Sequence, residues 1–188
     1  MARYLARAGV RHLYGCDIDA EAVEWCAAHL PGDYRLTTPE PSLPFEAGEL
    51  DVVIATSVFT HLPRDEQQRW LSELHRVLRP GGLLLASLAG SQAARVGRSA
   101  RLASRRPGSV PTRLAALRRT LRVLRAGIVD AQLDPHLDGI APAGYYRMVY
   151  QTASYTKRAW APYFRLVTRT PRGLNGHQDL LVMCALEA

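Results

Sequence analysis

DVVIATSVFTHLPRDEQQRWLSELHRVLRPGGLLL, residues 51–85, reads as strand, polar turn, helix, glycine turn and strand in one unbroken run. Val52, Val53, Ile54 and Ala55 are apolar in succession, the pattern of a strand covered on both faces of a parallel sheet. Pro63 stands where a helix begins, and Asp65 and Glu66 fall in its positive first turn. Trp70, Leu71, Leu74, Val77 and Leu78 then share one helical face. Pro80 stops the helix, and Gly81-Gly82 supplies a permissive turn. Leu83, Leu84 and Leu85 open a second apolar strand. A β-α-β unit of this kind places a ligand crevice at the carboxyl ends of its strands.

Upstream, residues 1–8 read as a short helix ended by Gly9, and residues 11–18 as a strand. Asp19 caps a second helix in which Val23, Cys26, Ala27 and Leu30 share a face. Residues 33–37 give a short strand, and the proline-bearing stretch 39–44 an extended connector. The order α-β-α-β-β-α-β predicts an α/β fold with a doubly wound, mostly parallel sheet. Downstream, residues 91–109 are rich in Ser, Gly, Ala and Arg and read as a mobile segment. Val110, Leu114, Leu117, Leu121, Leu124 and Ile128 alternate in steps of four and three, which predicts an amphipathic helix. Its apolar seam docks on the protein's own sheet or on a second chain, giving an oligomer through residues 110–128. Beyond Pro135 the chain is tyrosine-rich. Residues 153–161 read as a helix, and 164–168 and 178–185 as strands joined through the turn-rich 171–176 in an antiparallel hairpin.

At 188 residues the chain suits one domain with its own core. The longest nearly apolar stretch, 81–94, is too short to span a bilayer, and no signal-peptide pattern follows Met1. Cys16, Cys26 and Cys184 form no C-x-x-C pair, which argues against zinc and against a disulfide framework and suits a reducing cytoplasm. No metal-ligand constellation is visible. The net charge of +7 is localised. Residues 92–129 hold ten arginines and no acidic residue, so the rest, with 14 basic and 17 acidic side chains, is net −3. That segment suits an anionic partner, but without interleaved aromatics it does not point to base stacking. Nucleic acid is therefore not the expected partner.

SVFTHL at 57–62 followed by LSELHRVLRPGGLLL at 71–85 resembles the middle of a class I S-adenosylmethionine-dependent methyltransferase. The resemblance covers roughly residues 1–90 and again roughly 140–188. It implies a partial cofactor-binding core over 1–90 and a sheet completed by 141–188 on the substrate side, with 91–140 as arginine-rich segment and helix. It implies S-adenosylmethionine as cofactor, and Asp17, at a strand end, as acceptor for both ribose hydroxyls. A carboxylate there also serves dehydrogenases, so it marks a nucleotide ribose more surely than a particular cofactor. Ile18 would wall the adenine. Thr37 stands near where the family often places an Asp or Asn against the adenine amino group. Ser57 and Val58 would line the cofactor near its transferable methyl, with Phe59 beside it. His61 is a candidate general base, or a loop-holding histidine. Tyr146, Tyr150 and Gln151 fall where the family builds its substrate wall, and tyrosine-rich turns also serve as structural corners. The start of the last strand, HQDLLV at 177–182, resembles the tail of certain small-molecule methyltransferases or simply fixes the hairpin.

The family's first strand and glycine-rich loop precede the helix with which this sequence opens. The expectation is a sheet without its central strand, poorly stable and catalytically weak. The function expected is methyl transfer to a small-molecule or glycan-like acceptor. A non-catalytic remnant, an arginine-dependent anion or nucleic-acid binder and, more remotely, a nicotinamide oxidoreductase stay open beside it.

Overall fold

The computed structural model describes residues 1–90, 113–133, 139–142 and 144–187. The segment 91–112, expected as a mobile stretch and helix start, lies outside the described residues. In chain order the described elements are α1 (Ala2–Arg7), β1 (Tyr14–Asp17), α2 (Ala20–His29), β2 (Asp33–Leu36) and β3 (Leu50–Ala55). Then come α3 (Arg64–Val77), β4 (Leu78–Leu88), α4 (Arg113–Ala126) and β5 (Ile128–Leu133). The chain closes with β6 (Arg147–Gln151), α5 (Ala153–Ala159), β7 (Phe164–Leu174) and β8 (Gln178–Ala185).

The strands fall into three sheets. β1 and β2 pair in parallel, with Tyr14 opposite Asp33 and Asp17 opposite Leu36. A four-stranded sheet has the order β3-β4-β8-β7, in which β3 and β4 are parallel and β8 runs antiparallel to both its neighbours. The expected terminal hairpin is thus present. β5 and β6 form a separate antiparallel pair that the sequence reading missed. No described strand pairs β1 with β3.

The four-stranded sheet carries the main core. β8 buries Asp179, Leu181, Met183 and Ala185 and half-buries the residues between them, the period of two expected of a strand. α3 begins at Arg64 behind Pro63 and buries Gln67, Leu71, Leu74 and Val77 on one face. Trp160 is fully buried with its ring centroid 4.6 Å from that of Phe59. Leu84, Ala86 and Phe164 complete the same cluster.

Two expectations fail for identifiable reasons. The run at 52–55 is not covered on both faces: Val52 is 48% exposed, Val53 and Ile54 are half-buried, and only Ala55 is buried. Among the described strands β3 hydrogen-bonds to β4 alone, and none of them covers its other edge. The seam of the amphipathic helix also faces the wrong way. Leu117, Leu121 and Leu124 are 55%, 42% and 57% exposed, whereas Thr120 and Val123 of α4 are buried. Val123 packs with Ala89 and Tyr150, so the helix docks about a quarter-turn away from its leucines. Ile128 is not helical but opens β5.

Candidate functional site

The chemistry-bearing candidates sit at strand carboxyl ends. Asp17 is the last residue of β1 and is exposed. Its Oδ1 accepts the backbone N–H of Asp19 at 3.1 Å, and its backbone carbonyl accepts that of Thr37 at 2.9 Å. Asp19 in turn caps α2, its carboxylate accepting from the N–H groups of Glu21 and Ala22 at 3.0 and 3.3 Å. The two aspartates thus divide into a cap and an exposed carboxylate aimed by the cap's own backbone. Ile18, between them, is half-buried. Thr37 follows β2, and its hydroxyl donates to the carbonyl of Ser42 at 3.1 Å, tying the connector down. Asp17 and Thr37 are therefore brought to one edge of the β1–β2 pair.

Ser57 and Val58 follow β3. Ser57 has φ +60°, outside the usual range of a residue with a Cβ. Its N–H donates to Ser87 Oγ at 2.7 Å. Val58 is 46% exposed, while Phe59, one residue on, is 1% exposed. Phe59 thus packs in the core against Trp160.

The substrate-side candidates also divide. The ring of Tyr146 stacks on that of His61, with centroids 4.1 Å apart and planes within 8°. The backbone binds the same pair of segments, since Arg147 N–H donates to the His61 carbonyl at 3.0 Å and Val149 N–H to the Thr60 carbonyl at 2.8 Å. Tyr150 and Gln151, by contrast, are buried. Tyr150 packs with Ala89 and Val123. Gln151 belongs to a chain of internal hydrogen bonds: its Oε1 accepts from Gln67 Nε2 at 2.9 Å and its Nε2 donates to Thr156 Oγ1 at 2.9 Å. Gln67 Nε2 also lies 3.1 and 3.0 Å from the carbonyls of Phe59 and Leu62. The network fixes the loop that carries His61. Gln67 and Ser87 are supporting residues the sequence reading did not assign, and Gln178, read there within HQDLLV as hairpin-fixing, also contacts Ser57. Gln67 had a legible signal, a polar residue in register with Leu71 and Leu74 on the buried face of α3.

Beside the stacked pair, Arg64 lies over the Tyr155 ring at 5.4 Å. Partial desolvation raises the Tyr155 phenol above its ordinary range, with Arg64 acting in the opposite direction. The Asp130 carboxyl is also raised, by desolvation first, while Arg147 and Arg64 pull it down. Among the described residues no cluster of His, Cys, Asp or Glu could hold a metal ion.

Residues 1–86 match the family described as a methyltransferase domain. Over that stretch, a little under half of its length, the chain is similar to methyltransferase domains. Over 81 residues the chain is 31% identical to the tRNA N(3)-methylcytidine methyltransferase Mettl2 of Drosophila melanogaster, covering 39% of this chain and 25% of that protein. The matches span about a fifth to a third of the length of such curated relatives. The fold is shared with an S-adenosylmethionine-dependent methyltransferase of Methanosarcina mazei, at TM-score 0.64 and 16% identity, over 100% of this chain and 88% of that one. It is shared too with the 1,6-didemethyltoxoflavin-N1-methyltransferase of Burkholderia thailandensis with bound 1,6-didemethyltoxoflavin and S-adenosylhomocysteine, at TM-score 0.59 and 14% identity, over 98% and 65% of the two chains.

Proposed function

We propose that the protein transfers a methyl group from S-adenosylmethionine to a small-molecule or glycan-like acceptor. The observation that carries this is Asp17: an exposed carboxylate at the tip of a parallel strand, with Oδ1 accepting the Asp19 N–H. Such a carboxylate has lone pairs left for two adjacent hydroxyls, so the site fits a ribose. Ile18 supplies half-buried apolar surface beside it, and Thr37 stands at the neighbouring strand end. Ser57 and the exposed Val58 border the reacting end.

When bound, the donor supplies a methyl carbon already attached to a good leaving group. The residues of this chain contribute alignment and exclusion of water. His61, held flat against Tyr146, is the group placed to take a proton from an acceptor hydroxyl or amine. Tyr146 gives an apolar face on the acceptor side. The open edge of β3 supports reduced activity in the 188-residue chain, because the loop bearing Ser57 and Val58 rests on a strand paired on one side only. The unpaired cysteines support a reducing, cytoplasmic setting, and no described helix is long and apolar enough to cross a membrane. The exposed leucines of α4 support self-association through that helix.

A second reading, an RNA acceptor, is favoured by the tRNA methyltransferases among the curated relatives and by the ten arginines of 92–129. The test is transfer of labelled methyl from S-adenosylmethionine to a panel of small hydroxyl- and amine-bearing acceptors, with tRNA in parallel. Labelled small molecules, with a rate that falls in His61→Ala, support the proposal. Label in tRNA alone replaces the acceptor, and label nowhere refutes methyl transfer by this chain.

A further inference from the structure

Ser57 holds a backbone angle that glycine would adopt without strain. A residue with a Cβ stays there only where its surroundings over-determine it. Here all three polar groups of Ser57 are engaged by side chains. Its N–H donates to Ser87 Oγ at 2.7 Å. Its carbonyl accepts from Thr60 Oγ1 at 2.7 Å. Its hydroxyl meets the Gln178 amide, with Nε2 donating at 3.0 Å and Oε1 accepting at 3.2 Å. Ser87 and Gln178 lie 30 and 121 residues away in sequence, on β4 and β8. Ser87 is fully buried and Thr60 is 2% exposed. Local turn chemistry accounts for the Thr60 bond but needs neither Ser87 nor Gln178. The bend also separates two opposite environments, leaving Val58 out in solvent and Phe59 in the core.

We propose that Ser87, Gln178 and Thr60 are positioning residues that lock the Ser57 bend in the shape that receives the donor at the carboxyl end of β3. This deepens the cofactor reading above and rests on it. The hydroxyl of Ser57 is thereby committed to the protein, and the surface shown to a ligand is the backbone of the bend and Val58.

The experiment is titration of S-adenosylhomocysteine into the full chain as wild type, Ser57→Gly, Gln178→Leu and Gln178→Glu, with a thermal melt of each. Ser57→Gly frees the strain and removes the hydroxyl tie to Gln178 while keeping the backbone ties to Ser87 and Thr60, so it is expected to melt within a few degrees of wild type and, with the bend no longer held in one shape, to bind about tenfold more weakly. Gln178→Leu is expected to lose about tenfold in affinity as well. Gln178→Glu keeps an acceptor for the Ser57 hydroxyl and is expected to bind as wild type does. A purely structural role would lower the melting temperature without this pattern in affinity. Wild-type binding with undiminished affinity in Ser57→Gly and Gln178→Leu overturns the clamp alone. No binding by the wild type overturns the cofactor reading and the clamp with it.

Discussion

The two halves of the molecule differ in what holds them. In the first 49 residues Phe45 is the sole buried side chain, and neither α1 nor α2 buries any residue. Trp25 is 52% exposed and Leu36 56%. From Leu50 onward the four-stranded sheet, α3 and α5 enclose Trp160, Phe59, Leu71, Leu84 and Phe164 at 2% exposure or less. The first half shares little core with the second, Leu43 packing against the main cluster, and is tied to it largely by polar contacts. Glu73 Oε1 accepts the Leu43 N–H at 2.7 Å, and Arg76 donates to the Leu43 carbonyl at 3.3 Å. Tyr145 donates its hydroxyl hydrogen to the Pro39 carbonyl at 2.8 Å and accepts from Trp70 Nε1 at 2.9 Å. Arg69 pairs with Glu40. The lesson is that the half bearing Asp17 is the more weakly anchored one, while the half bearing His61 and Ser57 is built on a packed core.

Breaking that contrast begins with the largest effect. Trp160→Ala removes a fully buried indole and is expected to cost about 3–5 kcal/mol by chemical denaturation. Trp25→Ala, the same change in the other half, is expected to stay within about 0.5 kcal/mol. Equal losses would erase the distinction. Next is Gln67→Leu, which strands the Phe59 and Leu62 carbonyls and Gln151 Oε1 in the core. A loss of about 1–3 kcal/mol is expected, together with faster amide exchange in the 57–62 loop.

The tie through Glu73 has a pH signature. Its hydrogen bond to Arg76, opposed by desolvation and aided by the Leu43 N–H, holds the carboxyl below its ordinary value of 4.5. A depressed folded pKa adds stability above the unfolded pKa and loses it as pH falls through the folded one. Melting temperature followed from pH 6 downward should fall more steeply in wild type than in Glu73→Gln below about pH 4.5. Parallel curves would show that the tie is energetically silent. The smallest effect is Asp51→Asn, whose partner Arg79 is 55% exposed and whose own side chain is 77% exposed. No more than about 0.5 kcal/mol is expected in a denaturant titration.

The β3–α3–β4 unit was legible because proline, glycine and helical periodicity all agree there, and α3 starts behind Pro63 as read. The Asp19 cap and the β7–β8 hairpin were legible for the same reason, local chemistry stated by the residues themselves. Burial was less so. The apolar run Val52–Ala55 says what the strand would bury, but its exposure depends on whether a neighbour pairs with its free edge. The leucine seam of α4 is a true period, yet tertiary packing selected the Thr120–Val123 side. At the site, Asp17 was legible from its strand end, and His61 and Tyr146 were each singled out, but not their stacking on one another. The sorting of Phe59, Tyr150 and Gln151 into the interior needed contacts between segments far apart in sequence. The Ser57 clamp, with Gln178 121 residues away, had no local signal at all.

The central claim is that the Asp17 carboxylate grips the ribose of the donor. Titration of S-adenosylhomocysteine into wild type and Asp17→Ala at equal folded fraction tests it. Loss of charged hydrogen bonds worth about 1.5–3 kcal/mol predicts at least about tenfold weaker binding by the variant. Equal affinity in the two proteins would contradict the account.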